Sequence, residues 1–349
     1  MKLTRTGKLF AGLLFAAAGV AAAHAQTITS LNFPGALDTV AFGINASGVI
    51  TGTYVDSSNV VHGFVRSKTG KYKSFDAPGA KSTDAIAINK AGVITGFDTD
   101  SGDVWHGFVR TAKGAITTID APGAGTLSGE GTLASSINSA GTISGWYFDS
   151  NDVSHGFVRS NTGTITTFSV SGAGQHGTYA GGINTAGVVA GHYQDTAGVW
   201  HGFMRTASGT ITTFDEPDAG TGKGQGTTAG LIDNAGTIAG WYTDSNGVSH
   251  GFVRSPSGTF TSFDAPGAGT NGGDGTVALA INASGVITGP YTGSNGVEHS
   301  YVRATTGAIT DFDAPGATAT EALGINTAGD IVGFYADSSG ASHGFLRTP

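Results

Sequence analysis

The stretch INASGVITGTYVDSSNVVHGFVRSKTGKYKSFDAP, Ile44–Pro78, holds the pattern from which the rest of the chain is built. Its HGFVR segment stands at His62–Arg66, His106–Arg110, His155–Arg159 and His250–Arg254. Near copies read HGFMR from His201, HSYVR from His299 and HGFLR from His343, which makes seven versions in all. An IN-x-x-G element opens each one, at Asn45, Asn89, Asn138, Asn184, Asn282 and Asn326, with Asp233 in the remaining repeat. From that residue to the histidine is always 17 positions; from the histidine to the aspartate of FDAP is 14, Ser169 replacing the aspartate once. Length varies only between FDAP and the next IN: 13, 13, 18, 15, 18, 18 and 13 positions, the series opening at Asn32 of LNFPGA. A fixed block alternating with a variable connector marks a repeat architecture.

Four short strands are read inside each block. The first is small and apolar, as in DAIAIN (Asp84–Asn89), and ends in a turn such as NASG (Asn45–Gly48). Asn first and Gly fourth is what a type I turn prefers. The second strand is ITGTYV, the third HGFVR, and the fourth ends at FDAP, where proline has no amide to donate to a ladder. His62, Phe64 and Phe75 are expected on one face and Val65 and Tyr72 on the other, so both faces are apolar and need covering. The expected fold is all-β: a seven-bladed β-propeller of four-stranded antiparallel blades, one domain over residues 26–349. The chain opens on a lone fourth strand, TITSLNF (Thr27–Phe33), and ends on a third strand, HGFLR. Pairing the two completes the last blade and removes an open edge. An open solenoid, the other architecture of such a repeat, would carry polar caps.

The register GIN-x-x-G-x-ITG…HGF resembles the bacterial extracellular HAF-type repeat, named for its His-Ala-Phe tripeptide. The resemblance spans residues 26–349; here Gly or Ser replaces the central Ala, and Arg stands where family members often carry Trp. It implies a secreted β-repeat protein and no particular chemistry.

Residues 1–25 read MKLTRTGKLFAGLLFAAAGVAAAHA: a basic start (Lys2, Arg5, Lys8), an apolar run and an A-x-A site. This is the pattern of a cleaved secretory signal peptide, and the run is short for a membrane span. Without it the chain keeps 14 Lys and Arg against 25 Asp and Glu, a net charge near −11. Such a surface repels phosphate backbones, so a nucleic-acid partner is not expected. The absence of cysteine excludes disulfides and thiolate metal sites. The chain is therefore expected to be secreted or periplasmic, and its oligomeric state is not encoded in any pattern read here.

Asp56, Asp100, Asp149, Asp195, Asp244 and Asp337 lie six positions before the repeated histidine, with Gly293 in the other repeat. Each Asp and His can meet across a hairpin. A general base needs such a pair once, whereas a structural lock needs it in every blade. The arginine ending the third strand is expected to cap carbonyls or pair with an acid of the neighbouring blade. DTDSGD (Asp98–Asp103) and GGDGT (Gly272–Thr276) resemble calcium loops but lack the ligand set, and read as Asx turns. No metal or cofactor is implied.

Function is expected where repeats differ. The long connectors GAGTLSGEGT, DAGTGKGQGT and GAGTNGGDGT, and the shorter SGAGQHGT, cluster on one face with the turns before the histidines. Glu130, His176, Lys223 and Asp274 on them look unshared, and Trp105, Trp146, Tyr147, Tyr193, Trp200, Trp241 and Tyr242 flank the same face. Aromatic rings rimmed by Gly, Asn, Asp and Thr suit sugar stacking. The expected function is non-catalytic binding of a glycan or of a cell-surface or extracellular protein. The alternative is a polysaccharide lyase or hydrolase using Glu130 with Asp274 or His176.

Overall fold

The computed structural model describes residues 27–349; the expected signal segment, residues 1–25, lies outside the described residues. Every regular element described is a β-strand. The first is β1 (Thr27–Leu31), and the first repeat follows as β2 (Asp38–Ile44), β3 (Ile50–Val55), β4 (Val61–Arg66) and β5 (Tyr72–Phe75). These four pair in chain order as an antiparallel meander. Tight turns set its register: Gly48, Asn59 and Gly70 close them at φ of +74°, +62° and +89°. That left-handed residue after a type I turn matches the strand twist. Asp103 and Asp152 take the same conformation where later repeats use glycine.

The same meander recurs from Ser82, Gly131, Ala173, Gly226 and Gly275, the first strand of the last of these being split into Gly275–Thr276 and Ala280–Ile281. The final sheet is assembled from both ends of the chain. Ala319–Ile325, Ile331–Ala336 and Ser342–Thr348 are joined by β1, which pairs from Thr27↔Thr348 to Leu31↔Gly344.

Core residues lie between successive sheets. Phe64, Phe108, Phe157, Phe203, Phe252 and Phe345, one from each HGF segment, are fully buried. Phe108 packs edge-on against Phe75 of the preceding repeat, and Phe345 against Phe312, at centroid separations of 6.1 and 6.0 Å. The arginine of the third strand reaches the same seam, its guanidinium over the preceding repeat's aromatic ring: Arg110 over Phe75 at 4.5 Å, Arg254 over Phe214 at 4.7 Å. It caps a carbonyl as expected, Arg205 donating to Thr206 at 3.2 Å, but its neighbour across the seam is a ring rather than an acid. A flat cation over a π-face tolerates burial that an ammonium would not.

One face assignment is corrected. Phe75 pairs with Gly63 and Tyr72 with Arg66, so Phe75 shares a face with Val65, and Tyr72 with Phe64. The five residues between Arg66 and Tyr72 bring positions of equal parity opposite one another. Phe75 lies over bare Gly63, where an added Cβ would come within 2.8 Å of the ring.

At the centre, the opening asparagines bond from repeat to repeat. Asn45 Nδ2 donates to the carbonyl of Asn89 at 3.2 Å, Asn89 to Asn138 at 3.1 Å, and Asn138 to Asn184 at 2.9 Å. The series returns to its start, with Asn326 donating to the carbonyl of Asn45 at 3.3 Å.

Leu31, 1% exposed, is the one residue of β1 buried in the core, while Thr29 beside it is exposed. Leu31→Ala is expected to cost about 3 kcal/mol of unfolding free energy and Thr29→Ala close to nothing. Equal denaturation midpoints for the two variants would show that β1 does not hold the last sheet.

Candidate functional site

The repeated histidines are built into locks. Six of the seven side chains leave the third strand between two partners, one from the preceding turn and one from the end of the fourth strand. His62 Nδ1 lies 2.8 Å from Asp76 and its Nε2 3.4 Å from Asp56. His343 makes the same pair of contacts with Asn32 at 3.1 Å and Asp337 at 2.9 Å, across the seam between the chain's two ends. The sequence pairing of Asp and His six positions apart is present. The second partner, 14 positions on, was visible only as a constant spacing. Asp56 also caps its own turn, its Oδ1 accepting from the N–H groups of Ser58 and Val60 at 2.8 and 2.9 Å. His299 has Asp313 at 2.8 Å but Gly293 where the other acid would stand.

A tyrosine lies flat on most of these imidazoles. Tyr147 stacks on His155 at 5.1 Å, Tyr193 on His201 at 5.0 Å and Tyr242 on His250 at 5.0 Å. Tyr147 and Tyr242 are buried and Tyr193 half-buried, which corrects the expectation that they form an exposed sugar platform. Cross-strand pairing aims them at the histidine, through Tyr147↔His155 and its equivalents. In the second repeat Asp98 replaces the tyrosine. Burial raises Asp98 to about 6 against the pull of His106, and burial alone raises Asp84 to about 6.

The long connectors are self-bracing. The Glu130 carboxylate accepts the Leu127 N–H at 2.8 Å, Gln225 Oε1 that of Gly222 at 2.8 Å, and Asp274 that of Asn271 at 3.1 Å. All three precede Gly-Thr in register, so Glu130 and Asp274 are shared structural acceptors rather than unshared reactive groups. His176 holds the same register in the shorter connector, with its side chain exposed and its carbonyl accepting from Ser154 at 2.5 Å. Lys223 is exposed beside Gly198. The connectors are tied to the preceding turns, Gly129 N–H to Asp103 and Gly224 N–H to Gly198. Among the described residues no group of three or more His, Asp or Glu is arranged to hold a metal ion.

What stays accessible is the tryptophans. Trp105, Trp146, Trp200 and Trp241 are each half-buried where neighbouring repeats meet. Trp146 and Trp200 pack on Tyr179, at 5.7 and 5.9 Å. Trp200 and Trp241 share a cleft of about 250 Å³ with His192, Thr228 and Thr243. Trp105 lines a larger one, about 610 Å³, with Ser58, Asn59, Lys81, Thr99 and Asp103. Lys81 and Asp103 pair at 2.6 Å across it. Sequence reasoning found the rings and missed Asn59 and Lys81, which come from a different repeat and an unremarkable connector.

No family model and no curated protein matches the chain. Solved structures do. It is similar to a puromycin hydrolase, with TM-score 0.56 and 13% identity over 90% of this chain and 55% of that one. It is also similar to the BP39L lectin from Burkholderia pseudomallei, with TM-score 0.53 and 10% identity over 93% of this chain and 97% of that one. The chain spans about half the length of the hydrolase. At these identities the likeness is one of fold alone.

The locks at His62 and His106 contribute to the pH response. For His62, burial opposes the charge, but the hydrogen bonds it donates to Asp76 and Asp56 outweigh it and raise the imidazole above 6.5. Asp56 is held below 3.8, chiefly by the Val60 N–H. The histidine contribution is complete below 6.5 and fades as pH rises through the raised value. The aspartate contribution is complete above 3.8 and fades as pH falls through the lowered one. Thermal midpoints are expected to peak between these values and decline on both sides. Asp84, raised from 3.8 to about 6, opposes folding once ionised. Asp84→Asn should therefore add about 3 kcal/mol at pH 8 and little at pH 4, read by urea denaturation at the two pH values.

Proposed function

We propose that this chain is an exported, non-catalytic binding scaffold: a closed seven-bladed β-propeller that recognises a glycan on the face carrying its long connectors. The observation that carries the reading is the Trp105 cleft. It sets one half-buried indole beside hydroxyl, amide and paired charged groups in a space of about 610 Å³. An indole covers the apolar face of a sugar ring while such groups bond its hydroxyls. The Trp200–Trp241 cleft sets two indoles beside the hydroxyl residues Thr228 and Thr243 and the imidazole of His192 between two later repeats. Closure of the propeller is supported by the β1 pairing and by the return of the asparagine series to Asn45. Similarity to a lectin over nearly the full length of both chains is consistent with a sugar-binding propeller. Export rests on the sequence of residues 1–25.

Reactivity is poorly served by comparison. The histidines of the HGF-type segments are dispersed one per repeat, and the connector acids brace their own loops. Trp emission titrated with a panel of bacterial and plant polysaccharides tests the reading. Binding without product is expected, and Trp105→Ala should weaken it at least about tenfold, as loss of a central aromatic anchor does. Glu130→Gln should leave it unchanged, because Gln225 already fills that role elsewhere. Silence across the panel defeats the glycan reading, and turnover abolished by Glu130→Gln would establish the enzyme instead.

A further inference from the structure

The series of asparagine amides is interrupted at one place. At six of the seven register positions the side chain does two things. Its Oδ1 accepts backbone N–H groups of its own turn, as Asn282 does from Ser284 and Val286 at 2.9 and 3.0 Å. Its Nδ2 donates to the register carbonyl of the next repeat, as Asn184 does to Asp233 at 3.2 Å and Asn282 to Asn326 at 2.9 Å. The seventh position is Asp233. Its Oδ1 keeps the first role, accepting from Thr237 at 2.8 Å. A carboxylate has no proton for the second. Oδ2 therefore stands in the donor's place with no protein partner among the described residues, and the Asn282 carbonyl beyond it receives no side-chain donor. Two acceptors face one gap where every other gap holds an N–H. Asp233 is only 7% exposed as a whole residue, and the part of it left open is the part that lines the channel.

That gap opens on the central channel. Asp233 and Asn282 line a polar cavity of about 270 Å³ whose floor is a ring of isoleucines, among them Ile44, Ile137, Ile232 and Ile325. The same isoleucines form the rim of a second, more apolar cavity of about 430 Å³. One side of that well is filled by Phe42, Ile86, Leu279 and Leu323, while Ser135 and Gly182 leave the other side shallow. These wall residues come from the bulge that interrupts each first strand, as between Ala41 and Gly43 or Ala134 and Ser136. Among the described residues the one cation lining the polar cavity is Lys90, which is exposed.

We propose that this channel binds a primary ammonium carried on an aliphatic body. The ammonium supplies what the interrupted series lacks, N–H donors bearing positive charge. One proton goes to Asp233 Oδ2 and one to the Asn282 carbonyl, and the chain descends past the isoleucines into the apolar well. A metal ion is a poorer match, because hard cations gather six or more oxygens and the gap offers a single carboxylate beside backbone carbonyls. The site lies on the asparagine side of the channel, at the opposite end of the first strands from the connectors, so it is independent of any glycan site.

Calorimetric titration of the chain with n-octylammonium tests the assignment. Octyltrimethylammonium, which lacks N–H, and 1-octanol, which lacks charge, serve as controls. One equivalent of octylammonium is expected to bind at least about tenfold more tightly than either control. Asp233→Asn, which restores the residue used at the other six positions, should lower that affinity by more than about tenfold without lowering the thermal midpoint. Ser135→Phe places in the shallow wall the side chain that Phe42 already provides, and should weaken binding with Asp233 intact. Equal binding of the three probes, unchanged affinity in Asp233→Asn, or displacement of octylammonium by millimolar potassium would overturn the proposal.

Discussion

Each four-stranded sheet in this chain is apolar on both faces, so neither face can be stabilised from within its own repeat. Phe64 and Phe108 are fully buried only because a neighbouring sheet supplies the other half of the packing. The requirement passes from sheet to sheet and reaches the chain ends, where an unpaired edge and an uncovered face would coincide. β1 meets it by joining the last sheet, and Leu31 carries the core across the joint. Nearly every repeated feature serves this sideways cohesion. Arginines lie over the previous repeat's rings, threonines such as Thr83 accept the N–H of the preceding FDA segment at 3.0 Å, and asparagine amides span the centre.

Much of this was legible in the residues because repetition converts spacing into geometry. A constant interval from Asn to His, followed by one from His to Asp, fixes three turns and three strands. The partners of the histidines were only half legible. Asp56 lies close in sequence to His62, whereas Asp76 arrives from the far side of a hairpin whose register depends on one left-handed residue, Gly70. That same turn misled the face assignment of Phe75. Tyr147 and Tyr242 looked like surface rings because their strand ends at the loops, yet the non-polar surface of an imidazole is there to receive them.

The connector acids show the opposite failure. Glu130 and Asp274 looked unshared, while their place before Gly-Thr, which Gln225 also holds, makes the three residues one device in three forms. Real variation lies in residues of ordinary type. Asp233 differs from its counterparts by an oxygen in place of an NH2 group, yet that removes one hydrogen bond from the asparagine series. Trp105 matters less for its identity than for the turn of the preceding repeat, whose Asn59 it faces across a cleft.

The stitching of the two termini also has a temporal side. A chain delivered from its amino end presents β1 first, and its partner Ser342–Thr348 last. For that interval the strand waits solitary. Its sequence, TITSL, is threonine- and serine-rich, with three of its five side chains exposed even in the finished fold. A segment of that kind presents little apolar surface before its partner is made, and it then commits Leu31, with Ile28 partly, to the core.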